Sequence, residues 1–221
     1  MALAGATCAH QGLTKENASI AFLPLGNRDF RDVCRIFQLD PEPFKPILDR
    51  YNLKVDTCLS YHHEGFVNES QENFAAILFD DQFQEEVKRQ TRPASEAMIQ
   101  YFSEAGLFDH QDVAIVDIGW LGTIQRFLYD AIKHHQDCPT LHGMLFAATR
   151  GMEFPESNQN RLEGLIFDRN KFNLAASSIM YARDLFEEAC RAPHPTLNGY
   201  RLTEDGYELE FRRVDDEIGE A

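Results

Sequence analysis

The tract Asp117-Ile-Gly-Trp-Leu-Gly-Thr123 gathers the residue types best suited to hold an anion. Gly119 and Gly122 allow positive φ and let a ligand approach the backbone closely. If Gly122 and Thr123 open a helix, the first amides of that helix lack intrahelical acceptors and carry partial positive charge. A phosphate or carboxylate placed there collects several donors, to which Thr123 adds a hydroxyl. Asp117 is the candidate catalytic residue and the candidate metal ligand: it could coordinate Mg2+, hold a sugar hydroxyl or act as a base. Trp120, the single tryptophan, could stack on a base or sugar ring, or anchor the loop in the core. Gln125, one turn further on, either points to the same edge or occupies a solvated helix position. Arg150 is expected to fork onto the anion from the neighbouring strand. The competing expectation is a plain strand-to-helix turn in which Asp117 caps the helix and the glycines merely fit.

Other polar groupings carry less. His62-His63-Glu64 is adjacent in sequence, and neighbours do not share a helix or strand face, so a polar loop is expected there. His134-His135 close a helix, where imidazolium complements the dipole. His194 lies between two prolines in a stiff loop, and Glu187 and Glu188 read as solvated acids of a helix face. The chain has no Gly-x-x-x-x-Gly-Lys-[Ser/Thr], Gly-x-Gly-x-x-Gly, Gly-x-Ser-x-Gly or His-Glu-x-x-His motif, and no Asp-x-Asp pair.

The elements that must position the Asp117 tract follow from periodicity. Val113-Ala-Ile-Val116 is a continuous apolar run of the kind that forms a central parallel strand buried on both faces. Ile124, Phe127, Leu128, Ala131 and Ile132 then recur at helical spacing, and Leu141 to Thr149 is apolar again. The result is a βαβ unit over residues 113–150, with both strands' carboxyl ends on one edge, where open α/β sheets bind ligands. Upstream, Thr14 is expected to cap a helix to Phe22, Asn27 one over Arg28 to Gln38, and Asp40, with Pro41, a third. Gln71 to Ala105 is helical with Asp80 or Asp81 as a cap, Pro93 kinks or restarts it, and Gly106 ends it. Downstream come a strand at Leu162 to Phe167, a helix from Ser177 to Cys190 with Ile179, Ala182, Leu185 and Phe186 on its apolar face, and a hairpin turning at Glu204-Asp-Gly206. The fold class is therefore α/β: a small, mostly parallel, Rossmann-like sheet with a helical N-terminal portion (residues 1–106) and an α/β portion (residues 107–221) ending in a hairpin.

Bulk properties narrow the function. With 221 residues the chain can bury a core without disulfides or metal. A net charge of −15, from 21 basic and 36 acidic residues, opposes nucleic acid and anionic membrane as partners. The only basic pairs, Lys88-Arg89 and Arg212-Arg213, fit solvated faces. Five scattered cysteines fit a reducing cytosol. The apolar start, Met1 to Cys8, lacks the basic region of a signal peptide, and no stretch reaches a membrane span. A cytoplasmic location is expected.

The segment Val113-Ala-Ile-Val-Asp-Ile-Gly-Trp-Leu-Gly-Thr-Ile-Gln125 resembles a recurrent segment of large bacterial proteins. Those are described as predicted hydrolases of the haloacid dehalogenase superfamily, linked to glycosyltransferases and surface-polysaccharide assembly. Leu185-Phe-Glu-Glu-Ala-Cys-Arg-Ala-Pro193 and Gly199-Tyr200 resemble their closing region. The resemblance implies the C-terminal portion of such a protein, or a stand-alone relative, because the family's nucleophile belongs to an Asp-x-Asp motif that this chain lacks. Two functions are therefore expected in competition. One is a domain binding a small phosphorylated or nucleotide-sugar ligand, a hydrolase or transferase component of polysaccharide biosynthesis. The other is a non-catalytic accessory module that docks onto a glycosyltransferase or an N-terminal hydrolase domain.

Overall fold

The structure, a computed structural model, describes residues 2–18, 27–60, 69–149, 156–168 and 181–212. Arg150, the His62-His63-Glu64 cluster and the expected helix residue Ile179 lie outside these. The chain divides into two compact units, Met1–Met98 with Leu197–Glu210, and Ile99–Thr196 with Phe211–Ala221.

The first unit is helical. It contains α1 (Ala2–Gln11), α2 (Lys15–Ala18), α3 (Phe30–Phe37), α4 (Lys45–Arg50), α5 (Glu69–Ile77) and most of α6 (Asp81–Glu104). A short antiparallel pair, β1 (Asn27–Arg28) and β2 (Leu59–Ser60), accompanies them. Start signals act locally, as the sequence leads one to expect. The Asn17 amide donates to Thr14 Oγ1 at 3.2 Å, and the Phe83 amide to Asp80 Oδ1 at 2.9 Å. Asp40 is not a cap: its Oδ1 takes the Glu42 amide at 3.0 Å, two residues on, but the short 3-10 turn Glu42–Phe44 and α4 both start without a side-chain cap. The expected Asn27 cap differs too: α3 is started by Asp29, in a capping box with Asp32, and Asn27 is in β1. The reciprocal bonds of the box satisfy two amides that a lone Asn27 cap would leave open. Pro93 neither ends nor restarts α6, which runs through it. Rings fill the core: Phe30, Phe44 and Phe83 meet with centroids 5.1 to 6.1 Å apart.

The Asp-Gly turn does form a hairpin, of β6 (Leu197–Thr203) and β7 (Gly206–Phe211). It groups with the helical unit through α1, a bond from Gln38 Nε2 to the Asn198 carbonyl at 2.7 Å, and the buried Tyr200.

The second unit carries a three-stranded parallel sheet in the order β3 (Asp112–Trp120), β4 (Thr140–Ala148), β5 (Asn160–Asp168). Helix α7 (Thr123–Ile132) joins β3 to β4, so the chain is α/β with a βαβ crossover followed by a third parallel strand. Phe127, Leu128, Ala131 and Ile132 of α7 are buried, as are Leu141 and Leu145 of β4. The apolar run of β3 predicts a central strand, yet β3 is an edge of the described sheet and Val116 is 78% exposed. An apolar run states what solvent a strand avoids; it does not state which strands flank it. Parallel register places Val116 beside Met144 and Glu163, and Ala114 beside His142 and Arg161. Val116, Met144 and Leu165 are all exposed, so this face of the sheet is open. Among the described residues no helix is long and apolar enough to cross a membrane.

Candidate functional site

The site is the carboxyl edge where β3 turns into α7. Alternation along β3 puts Val113, Ile115 and Asp117 on one face, in register with Leu141, Gly143 and Leu145. That face is the one α7 covers, since a Cβ on Gly143 would lie 1.8 Å from Gln125 Oε1. Asp117 is therefore the last residue of β3 to put a side chain on the helix side, half-buried, with only Gly119 after it on that face.

Two glycines shape the turn. Gly119 has φ +139°, and a Cβ there would stand 2.2 Å from the Ala147 carbonyl oxygen, so only glycine permits this approach of β3 to β4. The peptide that follows it, Gly119–Trp120, is cis. Gly122, at φ 72° and ψ 20°, is the residue before α7, and no side chain caps the helix. The Arg126 amide closes the first turn onto the Gly122 carbonyl at 2.9 Å; the amides ahead of it point out of the helix start, as geometry requires. Asp117 does not cap them. Its Oδ1 takes the Gly119 amide at 3.4 Å. Burial raises the Asp117 carboxyl above its ordinary value; the Gly119 and Ile118 amides oppose that, and the charge of Glu187 adds to it. A carboxyl pushed up by desolvation and a like charge is a common sign of a working group. Thr123 is the first residue of α7.

Trp120 turns neither into the core nor onto open solvent. Its Nε1 donates to Glu187 Oε1, on α8 (Arg183–Ala189). The neighbouring Phe186 ring packs on Phe146 of β4, centroids 4.9 Å apart. This brings a second carboxylate to the edge that the helix-face reading of Glu187 does not anticipate. The only sequence signal was its adjacency to Phe186, the apolar residue that docks. The expected apolar face of this helix is not buried: no residue of α8 is, and Leu185 is 70% exposed.

Gln125 occupies neither of its expected places. It is only 2% exposed, beneath the sheet, where Nε2 donates to Asn160 Oδ1 at 2.9 Å and to the Arg161 carbonyl at 2.8 Å. It clamps α7 to β5 across the gap left by Gly143. The structure thus brings Asp117, Gly119, Trp120, Gly122 and Thr123 together, adds Glu187, and sets Gln125 behind them.

Among the described residues no three His, Cys, Asp or Glu side chains gather as a metal cage. Asp117 gives the loop one carboxylate, a donor of the kind Mg2+ takes together with phosphate oxygens and water. Other candidates are occupied locally. His135 stacks on Phe108 at 4.1 Å, and His194 Nδ1 lies 2.9 Å from the Pro195 carbonyl. Burial pushes the Cys8 and Cys34 thiols up to about 12, which removes them as nucleophiles. Comparison of the chain with protein-family models and with curated proteins returned no match.

Proposed function

We propose that the second unit binds the phosphate of a small phosphorylated or nucleotide-sugar ligand at the Asp117 loop. One observation carries this reading: a ten-residue helix starts without a side-chain cap at the carboxyl end of two adjacent parallel strands, beside a half-buried carboxyl. Backbone amides of α7 and the Thr123 hydroxyl bind the anion. Asp117 holds a sugar hydroxyl or shares a Mg2+ with the phosphate, and Trp120 offers a ring for a base or sugar. When bound, Mg2+ would neutralise charge on the phosphate and fix its orientation. Arg150 follows two residues after the end of β4 and supplies the cationic fork in this reading. The resemblance to polysaccharide-linked predicted hydrolases, with a cytoplasmic location, gives the setting: a hydrolase or transferase component acting on phosphorylated sugars.

A thermal-shift screen of nucleotides, nucleotide sugars and sugar phosphates, with and without Mg2+, tests it, because stabilisation grows with the logarithm of ligand over dissociation constant. The expected result is a shift for at least one phosphorylated ligand that Asp117→Asn and Arg150→Ala each reduce. Shifts untouched by both substitutions discard the site.

The docking reading has its own observation. A parallel sheet is ordinarily covered on both faces, and here Val116, Met144 and Leu165 are exposed on an open one. In that reading the unit is an accessory module, and a glycosyltransferase or an N-terminal hydrolase domain covers the face. Exposed-face substitutions that abolish co-purification with such a partner, while ligand shifts are absent, would favour it.

A further inference from the structure

We propose that α8 is a releasable strap across the carboxyl ends of β3 and β4, closed by Glu187 on the Trp120 indole, and that its release controls access to the Asp117 loop. The access role rests on the ligand reading of that loop; the strap itself does not.

Three features of the helix lead there. A surface helix is normally held by an apolar stripe pressed on the core, but α8 has no buried residue. Leu185 and the preceding Tyr181 turn outward, the latter 96% exposed. Seven residues are too few for a helix to persist alone in water, and Ala182, in the cap position, provides no side-chain bond. Its order therefore comes from what it touches, and among the described residues it meets strand ends through Phe186 on Phe146 and Glu187 on Trp120. Such a helix, with no buried residue of its own, belongs to the least protected class of structure.

The chemistry of the clasp gives the device a direction. Glu187, held on the Trp120 indole three residues along from Asp117, adds its negative charge to the burial that raises that carboxyl. A closed strap thus keeps a second negative charge beside amides suited to an anion, and an arriving anion favours the open state by that repulsion. Opening also frees the Trp120 ring for stacking. Glu187 acts through Trp120 and is a positioning residue; it holds no reacting atom in this scheme.

Trp120 is the only tryptophan of the chain, so its fluorescence reports on the clasp alone. Acrylamide quenching is measured on the full chain and on Glu187→Gln, Glu187→Ala and Phe186→Ala, with circular dichroism to confirm the fold. Loss of one such bond should raise the quenching constant roughly twofold or more in Glu187→Ala. Phe186→Ala should raise it also, with Glu187→Gln, which keeps an acceptor, in between. Unchanged quenching in both alanine variants overturns the strap. A second arm titrates inorganic pyrophosphate with Mg2+. Binding to Glu187→Ala about threefold or more tighter than to the wild type supports access control, and equal affinity overturns it. Failure of the probe to bind either protein removes the ligand reading and the access role together, while the quenching arm still decides the strap.

Discussion

The two units of this chain hold themselves together by different means. In the first, Phe30, Phe44 and Phe83 interlock with almost no exposure, and side chains on α6 tie down passing loops: Gln84 takes the Leu13 amide at 2.8 Å, and Gln90 the Asp40 amide at 2.6 Å. In the second, among the described residues, α7 covers one face of three strands, and on the other Val116, Met144 and Leu165 stay exposed while α8 touches only the end of the face at Phe146. The first unit is specified by side-chain packing. The second is specified by backbone pairing, which leaves its side chains at the strand ends available for contacts outside the sheet. Function tends to be drawn from regions with spare, weakly held structure, and the Asp117 loop belongs to the open unit.

The contrast can be broken by substitution. Phe83→Ala should cost most, about 3–5 kcal/mol in a denaturant melt followed by helical signal, because it leaves a cavity among rings that cannot collapse. A cost below about 1 kcal/mol, the range of surface positions, would deny the first unit its packed core. Next comes Gly119→Ala, where the left-handed backbone and the Ala147 oxygen 2.2 Å from the new Cβ act together. About 2–4 kcal/mol is expected from strain and crowding, read as faster hydrogen exchange at the ends of β3 and β4.

Asp80→Ala should cost about 1–2 kcal/mol through the lost cap of α6, and its effect should depend on pH. Burial raises the Asp80 carboxyl, but the Phe83 amide, the Tyr51 hydroxyl and the Arg50 guanidinium together hold it below its ordinary value. A folded pKa below the unfolded one means that the stabilisation is complete above the unfolded value and is lost as pH falls through the folded one. The stability gap between wild type and variant should therefore stay constant near neutrality and close below about pH 4; a gap that widens in acid contradicts the assignment. The smallest effect belongs to Val116→Ser, expected within about 0.5 kcal/mol because nothing covers the side chain. A loss well above that in a thermal melt would show the open face to be packed in solution, and the two units would be less different than described.

Much of the frame was legible in the chain. Thr14 and Asp80 marked helix starts because a cap is a contact across three residues, and Gly106 marked an end for the same reason. The βαβ unit followed from a change of apolar period, and the parallel pairing of β3 with β4 followed from the length of the crossover between them. In the Asp117 loop, the positive φ of Gly119 and Gly122 and the helix start at Thr123 were readable because backbone conformation limits residue type locally. Less visible were Gln84 and Gln90, which look like ordinary polar helix residues until the loops they hold arrive beside them. Gln125 was misplaced because its partners Gly143 and Asn160 come from β4 and β5.

The amino-acid order by itself thus determined where elements begin, which segment crosses over, and that an amide-rich turn follows Asp117. Each of these depends on neighbours within a few residues, or on periodicity along one element. Only the tertiary structure decided that β3 borders the sheet, that the hairpin joins the helices, and that Glu187 meets Trp120. Those outcomes are pairings of surfaces distant in the chain, where many partners satisfy the same polarity and the free energy of the whole packing selects one.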